Sequence, residues 1–598
     1  MIKDKKKAMV QLRKMVFVVA GLLLACTSLF SQQRDSRVRE YITPKKIVWK
    51  QEGTHIKDEH YLLAEGNGQS DLSNSRICVM KSTDAQFPAL LLDFGKEIQG
   101  GIQIVTGMPS SHESVQVRVR FGESVSEAMC DIDGKNGATN DHAMRDFKIS
   151  LPWLGVAEVG NSGFRFVRID LIDPSAELQI KEIRAISSYR DIPYKGSFKC
   201  NDERLNKIWQ TGAYTVHLNM QEYLWDGVKR DRLVWIGDMH PEVMTINSVF
   251  GYNEVVPKSL DLTRDITPLP SWMNGISSYS IWWLLIHRDW YLYHGDKSYL
   301  ESQKPYLKEL LKLLISKIDK NGQEQLDGTR FLDWPSNANP EAINAGLQAL
   351  MVQAMKYGAE LCQLLGEEGL AEECKKAEKN LCKAADRVVK PFLALDKNPT
   401  EPGMKQAAAL LAWTGLLDAS KADKKYLSVE GGRGFSTFYG YYMLCSMALA
   451  GNYSGALDII REYWGAMLDM GATTFWEDFN LDWLPNAAPI DAIVPAGKKD
   501  IHGDFGAYCY TGFRHSLCHG WASGPTSWLM ANVLGVKVVE PACSVLLIEP
   551  HLADLEWVEG TFPTPKGIVK IRHDKRPDGS VASKVEAPDG IKIIVKEK

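Results

Sequence analysis

Two stretches of this sequence concentrate carboxylates, arginines and tryptophans at close spacing. The first runs Trp225-Asp226-Gly-Val-Lys-Arg230-Asp231-Arg232-Leu-Val-Trp235-Ile-Gly237-Asp238-Met-His240-Pro-Glu242. The second runs Gly471-Ala-Thr-Thr474-Phe-Trp476-Glu477-Asp478-Phe-Asn480, with Asp482-Trp483 just beyond. Glycines 227 and 237 break helix continuity in the first, so its three aspartates belong to a loop. Acids that alternate with Leu, Val, Trp and Ile are half-buried, and a half-buried Asp beside Arg is either a structural ion pair or a group of tuned acidity. Spacing alone leaves both open. Taken together the stretches supply what hydrolysis of a glycosidic bond requires, one carboxylic acid for the leaving oxygen and one carboxylate on the other side. Tryptophans beside acids (also Asp333-Trp334) suit a sugar, because the ring covers its C–H face while the carboxylate takes its hydroxyls; the plainer reading of any one Trp is core filling. His515 and His519 are four apart but lack an acidic third ligand nearby, so polar contacts rather than a metal are expected, and no cofactor is called for.

These loops need elements to hold them. Between about 45 and 190 the pattern is strand-like: Leu90-Leu-Leu-Asp-Phe-Gly, Gly101-Ile-Gln-Ile-Val, Val115-Gln-Val-Arg-Val-Arg-Phe and Phe164-Arg-Phe-Val-Arg-Ile-Asp-Leu lie between turn-forming clusters, predicting an antiparallel β-sandwich. Near 200 the period changes to three and four at Leu205, Ile208, Trp209, Ala213, Val216 and Met220, with Asn201 or Asp202 as the cap. From 200 to 535 paired helices follow, over Tyr299–Ile318, Glu341–Leu365, Leu370–Val389, Met404–Leu417, Thr437–Ala450 and Ala456–Leu468. Ten to twelve helices without a fixed repeat length fit an (α/α)6 barrel with a cleft at one end. Strand patterns return over 540–598 as a small C-terminal β-domain.

The chain of 598 residues has a formal charge of −4 and 17 tryptophans. No basic face points to nucleic acid. Residues 1–31 read as an export signal: Lys3, Lys5, Lys6, Lys7, Arg13 and Lys14 precede an apolar run, Met15 to Ala25, too short to span a bilayer. Cleavage after Ser31 and a lipoprotein signal ending before Cys26 are both open, so the protein is expected outside the cytoplasm of a bacterium, either free or lipid-tethered at its surface. The ten other cysteines form no CxxC pair and read mainly as buried thiols. Nothing in the sequence sets an oligomeric state.

The ordered motifs resemble the α-L-rhamnosidases of glycoside hydrolase family 78. Asp226-Gly-Val-Lys-Arg230-Asp231-Arg232-Leu-Val-Trp235-Ile-Gly237-Asp238 is similar to that family's Asp-Cys-Pro-x-Arg-(Asp)-Glu-Arg-x-x-Trp-x-Gly-Asp. Gly471-Ala-Thr-Thr-Phe-Trp476-Glu477 resembles its Gly-Ala-x-Thr-x-Trp-Glu, and His515-Ser-Leu-Cys-His519-Gly-Trp521-Ala-Ser-Gly-Pro525 its His-x-Trp-Ser-x-Pro. Asp93-Phe-Gly-Lys-Glu-Ile-Gln-Gly100 and Pro563-Thr-Pro-Lys-Gly567 extend the likeness into both flanks. The resemblance implies an inverting hydrolase of rhamnose-bearing glycans, with Asp231 as general acid and Glu477 as general base. It assigns Asp226, Arg230, Trp235, Asp238, Asp333, Trp334, Trp476 and His519 to the sugar pocket. An Asp at 231 is one methylene shorter than the family's usual Glu, and the compact motif also allows Asp231 to match the optional Asp. Asp231 would need a neighbouring negative charge, from Asp226 and Asp238, and apolar cover from Trp235 to hold its proton. Other readings are another glycosidase or lyase on the same barrel, and a surface glycan-binding protein whose acids have drifted.

Overall fold

The structure, a computed structural model, describes residues 35–73, 75–132, 136–395 and 397–596. The expected signal segment, with Cys26 and Ser31, lies outside them. Among the described residues no helix is long and apolar enough to cross a membrane, and all ten cysteines are free.

The N-terminal sheet is built around one long strand, Ala89–Thr106, which pairs antiparallel with Val156–Leu171 on one side and Glu177–Arg190 on the other. Its register breaks between Asp93 and Ile98 and again between Gly100 and Ile102. Such irregularities bend a strand, and here they wrap the sheet over a core of Leu90, Leu92, Phe94, Ile102, Ile104, Val117, Val119, Phe121 and Phe164. The strand Val115–Gly122 runs straight from this core to Glu123 and a short helix, Val125–Met129, capped by the Ser124 side chain.

Six described helices then follow one another around a closed ring: Met239–Val249, Ser277–His294, Pro340–Leu364, Met404–Trp413, Gly440–Leu449 and Gly524–Asn532, the last packing back on the first. Their sequences explain their place. Met404-Lys-Gln-Ala-Ala-Ala-Leu-Leu-Ala-Trp413 is buried nearly all round, as an inner helix must be. The helices that precede them on the outside, such as Lys297–Ser316 and Glu368–Ala384, keep one charged face. Helix Glu203–Asn219 starts where expected, with Asp202 accepting from the Arg204 and Leu205 amides.

Two expected helices are interrupted. Leu370–Val389 is instead Glu368–Ala384 followed by Asp386–Leu393. Ala456–Leu468 is split by a wide turn at Ile460–Trp464, where the Arg461 carbonyl accepts from Arg204 Nε at 2.9 Å. A side chain from another helix competes there for a ladder acceptor, which is a recognised cause of such bulges.

The C-terminal strands Trp557–Thr564, Gly567–Lys575 and Val581–Glu586 form one sheet with Ser197–Cys200. A second sheet joins Val536–Glu540, Val545–Ile548 and Lys592–Val595. The strand at Ser197–Cys200 escapes sequence reading because it is four residues long and its partner is distant in the chain.

Candidate active site

The connections that lead into two inner helices, Met239–Val249 and Gly524–Asn532, build the site from three segments. The loop after Asn219 carries Asp226 to Asp238, the segment after Asp469 carries Glu477, and the approach to Gly524 carries His515 to His519. They are laced together by backbone bonds: His519 N donates to Phe475 O, Gly520 N to Asp226 O, and Glu477 N to Ser516 O, each at 2.9 Å.

His519 is the point of convergence. Its Nε2 lies 3.7 Å from Asp226 Oδ2, 3.9 Å from Asp238 Oδ2 and 4.0 Å from Glu477 Oε1. Burial holds its pKa well below the usual imidazole range, and the ring lies tilted against Trp521. Asp226 is fixed by two amides, Asp231 N and Leu233 N, each at 2.9 Å. Burial, aided by the nearby Asp231 charge and opposed by these amides, pushes it up to about 7. Asp238 accepts from the Tyr279 hydroxyl at 2.7 Å, and burial raises its pKa well above the carboxylate range. Glu477 Oε2 accepts from Ser516 N at 2.9 Å, and burial lifts it to about 8 against the pull of Arg230. Glu242, at the head of the first inner helix, is a fifth carboxyl beneath the cluster, also raised by burial. Residue 520 is glycine because any Cβ there would meet Glu242 Oε1 at 1.5 Å.

Asp231 has a different setting from the one expected. Asp226 flanks it, but the Asp231 carboxylate also lies 3.0 Å from Arg230 Nε and 3.1 Å from His142 Nδ1, and it accepts from Trp235 Nε1 at 3.1 Å. Trp235 is thus a hydrogen-bond donor to Asp231. His142 comes from the N-terminal domain, and nothing in its sequence context marks it.

The remaining predicted residues take two positions. Asp333 accepts from Ser336 N, Gln406 Nε2 and Ser436 Oγ at 2.9 to 3.0 Å, and also from Ser336 Oγ. Trp334 stacks near Tyr508 and meets Tyr510 edge-on. Trp476 is buried against Phe479 and His515 and backs the loop from behind. Asp478, which sequence reading passed over, is pushed up to about 7 by burial. His515 Nε2 accepts from Asp478 N at 2.8 Å.

One described group has the spacing of cation ligands, Glu123, Glu127 and His502. Its ligating atoms are already engaged. Lys229 Nζ lies 3.0 Å from Glu123 and 3.2 Å from Glu127. His502 uses both ring nitrogens, on Ser124 Oγ and the His515 carbonyl. An ammonium already fills the place a cation would take.

The sequence matches the family model described as the bacterial alpha-L-rhamnosidase 6 hairpin glycosidase domain over residues 193–533. The chain belongs to this family. An alpha-L-rhamnosidase from Alteromonas sp. (strain LOR) is 25% identical over 531 residues, covering 82% of this chain and 54% of that protein. One from Formosa agariphila is 23% identical over 341 residues, covering 51% and 35%. This chain thus spans about half the length of the first of these curated relatives and a smaller share of the second. Among solved structures, the family 78 rhamnosidase of Bacillus sp. GL1 superposes with a TM-score of 0.72 at 22% identity, covering 90% of this chain and 55% of that one. A Klebsiella oxytoca rhamnosidase with rhamnose bound gives 0.64 at 18%, covering 83% and 96%. At these identities the structures establish the shared fold: an N-terminal sheet domain, a six-hairpin helical barrel and a C-terminal sheet region.

Proposed function

We propose that this family member hydrolyses terminal α-L-rhamnosides of a polysaccharide or glycoconjugate with inversion, using carboxyl groups alone. The observation that carries the reading is the convergence of Asp226, Asp238 and Glu477 on one imidazole, with Asp231 paired to Arg230 on the Asp226 loop. A protonated carboxyl gives its proton to the leaving oxygen while an ionised one takes a proton from the attacking water on the opposite face. The family resemblance makes Asp231 the acid and Glu477 the base. Asp226 and Asp238, both raised towards the neutral acid form, are suited to grip sugar hydroxyls as donors as well as acceptors. The Tyr439 and Tyr510 hydroxyls and the Trp476 indole N–H are buried without a partner among the described residues, polar capacity that a hydroxylated ligand can use.

A second assignment of the same two carboxyls is favoured by their surroundings. Arg230, His142 and Trp235 surround the Asp231 carboxylate with donors, whereas burial favours a protonated Glu477. In that reading Glu477 is the acid and Asp231 the base. Incubation with a panel of rhamnose-containing glycans, with the released anomer followed by NMR, tests the activity: β-L-rhamnose as first product is expected, and α-L-rhamnose or no rhamnose overturns it. The basic and then apolar N-terminal segment supports export in a bacterium, with lipid attachment at Cys26 as one form of it; no nucleic acid, metal or cofactor enters this reading.

A further inference from the structure

The N-terminal sheet domain reaches into the barrel through a few buried charges. Lys229 stands between Asp226 and Arg230 on the first catalytic loop. Its Nζ donates to the Phe513 carbonyl at 2.9 Å and the His515 carbonyl at 2.8 Å, and lies between Glu123 and Glu127. Burial acts to lower the Lys229 pKa, but the two glutamates outweigh it and raise it. The ammonium therefore stays charged and bonded. Glu123, one residue beyond the strand Val115–Gly122, accepts from Leu517 N at 2.6 Å and from Ser516 Oγ at 3.2 Å. Ser516 in turn holds Glu477 twice, through its amide to the carboxylate and through its carbonyl to the Glu477 amide. The sheet also touches the loop backbone directly. Gly163 N donates to Val228 O at 3.0 Å, and a Cβ at 163 would meet Val228 Cγ2 at 2.6 Å and Lys229 N at 2.9 Å.

We propose that Glu123 and Lys229 are positioning residues for hydrolysis, a single buried tie by which the N-terminal domain sets the Asp226–Asp231 loop and Glu477 at their working separation. This rests on the proposed hydrolase reading. Neither side chain touches the carboxylate cluster, and each acts through the segment 513–517, which both catalytic loops share. The charges account for the arrangement: an ammonium out of water needs paired carboxylates and carbonyls in full number, so it admits one geometry. Partial satisfaction would leave a buried charge exposed to no partner, and the loops would be free to separate.

The test uses the full chain with Lys229→Met, Glu123→Val and the double variant. Hydrolysis of an aryl α-L-rhamnoside should show kcat lowered on the order of 100-fold in each single variant, as for a misplacement of about 1 Å, with KM held within about threefold. The double variant should be no slower than the worse single one, because both substitutions break the same tie. Glu123→Gln, whose amide oxygen still accepts from Leu517 N, should recover part of the lost turnover. Amide hydrogen exchange supplies a readout that does not need activity. Segments 226–233 and 513–519 should exchange faster together in either single variant, while helices 277–294 and 340–364 keep their protection. Unchanged exchange in one of the two segments overturns the proposal, as does loss of kcat in proportion to protection lost throughout the barrel. A wild-type chain that releases no rhamnose sinks the hydrolase reading alone, and the exchange experiment still decides the tie.

Discussion

At the scale of residues, the site is a contest between burial and hydrogen bonding over where protons sit. Asp226, Asp238 and Glu477 lose water faster than their amide and hydroxyl partners replace it, so their acid forms gain. Asp231 keeps a guanidinium, an imidazole and an indole N–H. This contrast makes the roles separable by kinetics. Loss of the general acid hurts a substrate with an activated aryl leaving group less than a natural disaccharide, whereas loss of the base hurts both alike. Asp231→Asn should give the first pattern and Glu477→Gln the second, each with a fall on the order of 100-fold or more on the disaccharide; the reversed pattern assigns Glu477 as the acid. The raised pKa of Glu477 also has a thermodynamic signature. Its folded value, about 8, exceeds the ordinary carboxylate value, so folding favours the proton. The stability it confers is complete below the unfolded pKa and is lost as pH rises through about 8. Glu477→Gln should therefore melt about a few degrees higher relative to wild type at pH 9 than at pH 4. A melting difference that is flat across that range counts against a buried, proton-holding Glu477.

At the scale of elements, carboxyls of the cluster are held by neighbours on other segments. Asp238 is held by Tyr279, the third residue of the next inner helix, and Gly237 gives that ring its room, since a Cβ at 237 would lie 2.3 Å from the Tyr279 ring. Gly237→Ala should push the ring away and reduce kcat by about 100-fold, the scale of loss for a displaced catalytic group. Tyr279→Phe, which keeps the ring but removes its hydroxyl, should cost on the order of tenfold, the value of one lost charge-assisted hydrogen bond. Equal effects of the two substitutions would show that the hydroxyl alone matters and that the crowding at 237 does not.

At the scale of the molecule, the N-terminal sheet domain has its own hydrophobic core, yet its glutamates are buried against barrel loops. Separating the two would expose Lys229, Glu123 and Glu127 unpaired or return them to water with loss of the whole network. The full chain should therefore melt in one calorimetric transition, with the van't Hoff and calorimetric enthalpies in agreement. Two resolved peaks would mean that the buried tie is too weak to couple the domains.

Periodicity alone was enough for the broad architecture, because strand alternation and helix repeats record which faces meet a core, and a core forms wherever apolar residues are in register. The Asp202 cap, the change of period near 200 and the loop character of 226–238 follow from local steric rules acting over a few residues. The acid loops were legible for the same reason, since their composition fits neither a helix face nor a strand face. The split helices at 385 and 460, the four-residue strand at Ser197–Cys200, and the roles of His142, Glu123 and Lys229 were not. Each depends on a partner far away in the chain: Arg204 taking the Arg461 carbonyl, Val558 to Thr561 pairing with 197–200, Glu123 meeting Leu517. The acidity of the carboxyls was likewise settled only by the fold, because a pKa depends on the water removed and the charges gathered around a group. Sequence names the carboxyl, and three-dimensional burial decides whether it holds its proton.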